Sequence, residues 1–247
     1  MIVLRSDGEI ASIREAGAIL AATLEKLKKH VRPGVKTIEL DEMARQEILK
    51  RNGYPAFKNY KGFPGNICTS VNEVVVHGIP SERKLREGDI VSIDIGVKFR
   101  DYFADAAVTL GVGSISETAE KLMRATEKAL AIGIENALPG KRLSDVSAKI
   151  QEYVESNGFS VVRVFVGHGI GTEIHEEPEV PNFGRPGTGP RLEPGMVLAI
   201  EPMVNAGTHE VEILEDGWTA VTKDRRLSAH FEHTIAVRKD GVEILTA

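Results

Sequence analysis

Four acidic side chains in this sequence lie where acids are rare. Asp94 sits in Ile-Val-Ser-Ile-Asp-Ile-Gly, and Asp105 among Ala104, Ala106, Ala107 and Val108. Glu201 ends Met-Val-Leu-Ala-Ile-Glu, and Glu232 lies within Ala-His-Phe-Glu-His-Thr-Ile-Ala-Val. Each segment reads as a strand with buried character. A lone buried carboxylate shifts its pKa or finds a partner. Asp94 and Asp105 are 11 residues apart across a turn expected at 99–101, so a hairpin can point both to one side. Like charges so placed repel unless a cation lies between them. Two divalent cations balance four carboxylates, and carboxylates shared by two metals are the usual solution of two-metal hydrolases.

The histidines extend this set. His168 lies in a glycine-rich turn, Val-Gly-His-Gly-Ile-Gly, where backbone and imidazole can approach a ligand closely. The glycine spacing differs from both phosphate-loop patterns, and no Lys-Ser/Thr follows. One imidazole among oxygen ligands suits Mn, Fe, Co or Zn better than Mg or Ca. His77, in Val-Val-Val-His-Gly-Ile-Pro, and His175, in Glu-Ile-His-Glu-Glu-Pro, each fall at a strand or turn end. Taken singly, either serves equally well as a structural histidine. As a pair in matching places of two similar halves, they read better as donors to a substrate. His230 shares a strand face with Glu232, from which it can orient a metal ligand. His30, His209 and His233 have weaker claims.

The elements that must position these groups follow from spacing and caps. Ser6 with Glu9 forms a capping-box pattern ahead of Ile10, Ile13, Leu20, Leu24 and Leu27, and that helix ends near Arg32-Pro33-Gly34. A second helix spans 37–51, with Thr37 as its cap and Asn52-Gly53 as its stop. Strands are expected at 67–76, 90–97 and 102–110. The order then recurs: a helix over 118–137, a helix over 143–156 with Ser144 as cap, Asn157-Gly158, and a strand over 196–200. From Gly34 to Gly53 is 19 residues, and from Gly140 to Gly158 is 18. Asp94 follows Gly88 by six residues, as Glu201 follows Gly195. Residues 6–112 and 118–237 thus read as a duplicated unit within one domain over 1–247. Halves packed about a pseudo-twofold bring Asp94 and Glu201 together.

Composition narrows the class. The chain has 247 residues, 42% hydrophobic and 27% charged, with a net charge of -5, and looks like an ordinary soluble globular protein. That charge argues against nucleic acid or an anionic membrane as a general partner. A single cysteine, Cys68, permits no internal disulfide and suits a reducing compartment. No stretch approaches a membrane span or a signal peptide, so the cytoplasm is the default location.

Six segments together resemble the methionine aminopeptidases of the short, type 1 form. They are Ser70-Val-Asn-Glu-Val-Val-Val-His-Gly-Ile-Pro, Gly88-Asp-Ile-Val-Ser-Ile-Asp, Asp105-Ala-Ala, Gly167-His-Gly-Ile-Gly-Thr-Glu-Ile-His-Glu-Glu-Pro, Ile200-Glu-Pro-Met and Phe231-Glu-His-Thr. The resemblance covers essentially the whole chain. It implies an α+β pita-bread fold, two pseudo-symmetric halves with a curved antiparallel β-sheet backed by helices. It implies a dinuclear site with Asp94, Asp105, His168, Glu201 and Glu232 as ligands, Asp105 and Glu232 bridging. The two ions would be Mn, Fe(II), Co or Zn. The implied reaction is release of the initiator methionine from new polypeptides whose second residue is small. A hydroxide held by the metals would attack the first peptide carbonyl, with Glu201 moving its proton, His175 holding the developing oxyanion and His77 bonding the scissile amide region. Tyr60, Phe63, Cys68, Ile174 and Trp218 match the walls of a methionine pocket. The partners would be N-termini of nascent chains, with the ribosome as a further candidate, and the chain would act as a monomer.

The sequence departs from the family pattern in places. His230 stands where the family often has Gln, and Ala199 where Thr is common. Phe183–Pro190, rich in glycine and proline, reads as a flexible loop near the site. Proline-specific peptidases of the same fold and creatine amidohydrolases usually carry a large extra N-terminal domain, whereas only about five residues precede the first helix here. A non-catalytic binding module of this fold would typically lack ligands that this chain retains.

Overall fold

The computed structural model describes residues 1–247. Helix α1 (Asp7–Lys28) opens on the expected capping box: Ser6 Oγ accepts from the Glu9 amide, and Glu9 accepts the Ser6 N–H at 2.8 Å. Helices α2 (Thr37–Lys50), α3 (Glu117–Asn136) and α4 (Leu143–Ser156) follow the expected spacing. Two caps differ from expectation. Lys36 and Arg142 occupy the N-cap positions, and their N–H groups bond to Glu39 and Asp145. The hydroxyls of Thr37 and Ser144 instead reach facing loops, at the Ser81 and Thr188 carbonyls. The first-turn amides are met by the same loops, Thr37 and Ile38 N–H by the Arg83 and Ser81 carbonyls and Leu143 N–H by the Pro190 carbonyl, which leaves these hydroxyls to bond the loops.

The first half carries β1 (Tyr54–Pro55), β2 (Cys68–Val71), β3 (Val74–Val76), β4 (Ile90–Phe99) and β5 (Tyr102–Gly111). The second carries β6 (Ser160–Val161), β7 (Gly167–Gly169), β8 (Glu176–Val180), β9 (Val197–Ile200), β10 (Met203–Asn205), β11 (Val211–Ile213), β12 (Ala220–Thr222), β13 (Ser228–His230), β14 (His233–Arg238) and β15 (Gly241–Ile244). The single strand expected over 67–76 is split. Asn72, at φ 58°, turns the chain between β2 and β3. The long hairpin β4–β5 turns at Arg100-Asp101, with Phe99 opposite Tyr102.

All named strand pairs are antiparallel. They form the sheets β1-β4-β2 with β5 on β4, β15-β14-β9-β7-β8, β13-β10-β6 and β11-β12-β3. Helices α1 and α2 bury Ile13, Leu20, Leu40 and Ile48 in one core with Ile93, Ile95 and Val97 of β4. Helices α3 and α4 bury Leu122, Ala129 and Ile150 in a second core with Leu198 and Ile200 of β9 and Ile235 of β14. The two halves repeat a backbone pattern. Gly34 N–H donates to Leu85 and Gly140 N–H to Leu192, both at 2.8 Å, and the bridge Lys36↔Lys84 has its counterpart in Arg142↔Arg191.

The seam between the halves is a strand pairing completed by side chains. Ala107 and Glu232 exchange both backbone bonds, at 2.9 and 3.4 Å. On either side a threonine hydroxyl bonds the backbone across the seam. Thr234 Oγ1 accepts from Asp105 N–H and donates to its carbonyl, at 2.9 and 2.8 Å. Thr109 Oγ1 does the same for His230, at the same two distances. Glu232 was expected inside a strand. It lies in the break between β13 and β14, where the chain passes from one sheet of the second half to another and pairs with Ala107 across the seam.

Candidate metal centre

Strand register brings the acids into two neighbouring rows. In the first, Cys68 pairs with Asp94, Asp94 with Ala107, and Ala107 with Glu232 across the seam. The pair His233↔Ile200 then places Glu232 beside Glu201 at the strand ends. In the second, Gly96 pairs with Asp105, Asp105 bonds Thr234, Thr234 pairs with Ala199, and Ala199 with His168. Positions two apart on a strand share a face, so both rows point the same way. Within the hairpin Asp94 and Asp105 are diagonal neighbours, each facing a small residue. Gly96, Ala107 and Ala199 leave the space that the acids and His168 occupy. A Cβ on Gly96 would lie 2.6 Å from Phe57 Cε1, so no larger residue fits there.

The donor atoms converge. Ligand atoms of Asp105, His168 and Glu232 lie within 4.8 Å of one another, as do those of Glu201, His230 and Glu232. His168 Nε2 is 3.4 Å from Glu201 Oε1. His168 Nδ1 lies 3.0 Å from the Gly169 carbonyl, which places the ring proton on Nδ1 and turns the Nε2 lone pair toward the acids. Asn182 donates to the Glu201 carbonyl at 3.0 Å and holds that strand end.

Electrostatically this floor is unfinished. Burial, with Asp105 beside it, pushes the Asp94 carboxyl well above the usual range, and burial, outweighing hydrogen bonds with Asp94 and the Ala106 backbone, takes Asp105 up to about 7. Burial raises Glu201 and Glu232 well above the usual range too, and the neighbouring aspartates add to it. His168 is pushed down to about 4 by burial. Asp94 Oδ1, Asp105 Oδ1 and Glu232 Oε1 are fully enclosed without a hydrogen-bond partner. Enclosed, unpartnered carboxylate oxygens beside a pre-oriented imidazole fit divalent cations.

Above the floor is a cavity of about 310 Å³. His175 and His77 both line it, as do Tyr60, Phe63, Cys68 and Trp218. His175 Nδ1 is 3.0 Å from the Tyr60 hydroxyl, and its ring centroid is 4.2 Å from that of His168. Burial, then the nearby His168, lowers His175 to about 3, so its ring is neutral at physiological pH. The turn carrying it is fixed by Glu176, which accepts from Arg5 at 2.5 Å and from the Thr172 and Glu173 amides. His77 follows β3 at φ 59°, a left-handed conformation uncommon outside glycine, and its ring stands edge-on to Phe165 and Trp218.

Ile174 does not line the cavity. It belongs to the first core, its Cδ1 3.0 Å from where a Gly96 Cβ would stand. Phe57, Lys61, Val76, Val164, Phe165, Val166 and Met203 complete the wall and were not anticipated. Phe165 and Val166 directly precede the Gly-His motif, and Met203 follows Glu-Pro, so proximity to a motif was their one signal. The 183–190 loop does not reach the cavity wall. Its Gly184 and Gly187 amides bond Gln151 and Asp145 on α4.

With cations on such a floor, a substrate held above it meets Lewis-acid chemistry, and the class of protein this defines is a metallohydrolase. The sequence profile of metallopeptidase family M24 matches residues 11–239. The chain is 57% identical over 246 residues to a methionine aminopeptidase of Clostridium perfringens, covering 100% of this chain and 99% of the relative. To methionine aminopeptidase 1 of Bacillus subtilis it is 54% identical, with the same coverage. The crystal structure of methionine aminopeptidase from Rickettsia prowazekii superposes with a TM-score of 0.99 at 43% identity, covering all of both chains. The chain belongs to metallopeptidase family M24, and its fold is the pita-bread fold expected from the sequence.

Proposed function

We propose that this chain is a methionine aminopeptidase that removes the N-terminal methionine of new polypeptides whose second residue is small. The two-row floor of enclosed, unpartnered carboxylates beneath an apolar cavity carries the reading. The residues that would hold two divalent cations, Mn, Fe(II), Co or Zn, are Asp94, Asp105, His168, Glu201 and Glu232, of which Asp105 and Glu232 lie at the seam between the halves. Cations held there would supply Lewis-acid polarisation of the scissile carbonyl and a lowered pKa for a water at neutral pH.

The protein's own groups do the rest. Glu201 takes the proton of the attacking water and passes it to the leaving amine. The Tyr60 hydroxyl lies 3.0 Å from His175 Nδ1; with Tyr60 as the donor, His175 Nε2 would carry the ring proton and donate to the carbonyl oxygen as charge develops there. His77, left neutral by burial, bonds the scissile amide. Phe63, Cys68 and Trp218, with Phe57, Val76, Phe165 and Met203, enclose the methionine side chain in a soft apolar surface. The whole of 1–247 is one catalytic domain, because both halves supply the floor. The cavity is complete within one chain, which supports a monomer. No helix is long and apolar enough to cross a membrane. The cytoplasm, where new chains leave the ribosome, is the setting this reading requires.

The test is amino-acid release from Met-Ala-Ser and from Ala-Pro by chelated protein with Mn, Fe(II) or Co added back. Metal-restored methionine release with Ala-Pro untouched is expected. Cleavage of Ala-Pro alone would move the protein to the proline-specific branch, and release from neither with metal bound would overturn the reading.

A further inference from the structure

Two histidines flank the Glu201 carboxylate. His168 Nε2 lies 3.4 Å from Oε1, and His230 Nε2 lies 3.5 Å from Oε2. The distances are alike, but the far sides of the rings differ. His168 Nδ1 bonds the Gly169 carbonyl, so its proton is on Nδ1 and its Nε2 is free to ligate. His230 makes no such bond. Its Nε2 is enclosed and unpartnered, and its side chain is 2% exposed. The carboxylate oxygens facing that nitrogen are Glu201 Oε2 at 3.5 Å and Glu232 Oε2 at 3.9 Å. The His230 backbone is clamped on both its N–H and its carbonyl by Thr109, which fixes the point from which the ring extends.

A neutral imidazole has one N–H, and a buried donor left unbonded is costly. As a ligand through Nε2, His230 would need its proton on Nδ1, where no protein group accepts it, whereas the enclosed and unpartnered nitrogen is Nε2. With the proton on Nε2, an acceptor is already in front of it. Rotation of the ring or carboxylate by a few tenths of an ångström brings 3.5 Å to the usual range of about 2.7–3.2 Å. We propose that His230 is a positioning residue whose Nε2–H donates to Glu201 Oε2, turning Oε1 toward the cation shared with His168, and that His230 is not itself a ligand. This rests on the two-cation reading above.

Mn(II) is titrated calorimetrically into chelated wild-type, His230→Gln and His230→Leu protein, and Co(II) visible spectra are recorded for each. His230→Gln is expected to keep Mn(II) affinity within about threefold and to leave the Co(II) spectrum unchanged, because the amide replaces the donor. His230→Leu is expected to weaken Mn(II) binding about 10- to 100-fold and to lower kcat for Met-Ala-Ser with KM little changed. A His230→Gln variant that loses as much affinity as His230→Leu, with an altered Co(II) spectrum, would make His230 a ligand and overturn the assignment. A His230→Leu variant matching wild type would deny it any role. If His230→Leu does not fold, the Co(II) spectrum of His230→Gln against wild type still separates donor from ligand. Wild-type protein that takes up no Mn(II) would overturn the two-cation reading, and this proposal with it.

Discussion

The floor and the walls of the cavity are built by different means. Asp94, Asp105 and His168 lie on strands, and Glu201 and Glu232 directly adjoin strand ends, so backbone register fixes their spacing. Much of the wall comes from turns: Tyr60 and Phe63 around a short turn, Val164–Val166 ahead of β7, His175 after it, His77 after β3 and Trp218 before β12. The wall satisfies itself. Tyr60 bonds and stacks on His175, and Phe63 meets Trp218 edge-on at 5.2 Å. The floor does not: three carboxylate oxygens have no partner. The wall is therefore whole without substrate, whereas the floor is incomplete without cations. Loss of a floor group should remove chemistry, and loss of a wall group should alter grip or orientation.

The largest effect is expected at the seam. Asp105→Ala or Glu232→Ala should lower kcat/KM by about 1,000-fold or more, because the proposed assignment makes each a ligand of both cations. Steady-state assays on Met-Ala-Ser at saturating Mn(II) check this, and a loss below about tenfold would break the contrast. Next is His175→Ala, expected to cost about 100-fold in kcat by removing a donor aimed at the oxyanion. Tyr60→Phe should cost far less and shows how much of that depends on the Tyr60–His175 hydrogen bond. Trp218→Ala should act on grip alone, raising KM several-fold with kcat nearly unchanged. An equal fall in kcat would move Trp218 from wall to chemistry.

The unfinished floor also has a signature in stability. Burial lifts Asp105 from 3.8 to about 7 and lifts Asp94, Glu201 and Glu232 as well. A carboxyl raised on folding favours the folded state while both states are protonated, and that contribution is lost as pH rises through the folded pKa. For Asp105 the window runs from about pH 4 to about pH 7. Metal-free protein should melt at lower temperature at pH 7.5 than at pH 5.5, and Mn(II) should restore the loss at pH 7.5. Differential scanning calorimetry with and without chelator reads this, and a metal-free protein indifferent to pH would contradict it.

Floor and wall also differed in how far the sequence disclosed them. Acids inside apolar runs betray themselves, because an unpaired buried carboxylate has no structural excuse. The matched six-residue steps from Gly88 to Asp94 and from Gly195 to Glu201 pointed to a common floor. What joins the halves was not legible. Thr109 and Thr234 complete the seam through hydroxyls, and nothing in their types or spacing marks a hydroxyl that bonds the backbone of the other half. The break at Glu232 was hidden for the same reason, since its apolar neighbours read as an unbroken strand. The caps at Lys36 and Arg142 were missed because a nearer hydroxyl looked the better cap until facing loops claimed it. Wall residues such as Phe57 and Val164 are apolar side chains in turns, alike in sequence to any other. Ile174 shows the converse, since adjacency to His175 did not bring it to the cavity.

The floor's claim to two cations is tested most directly by crystals of Mn(II)-loaded protein and an anomalous difference map collected near the Mn edge. Two peaks are expected over the two rows, with Asp94 on one, His168 and Glu201 on the other, and Asp105 and Glu232 touching both. A single peak, or peaks away from Asp105 and Glu232, would contradict the account.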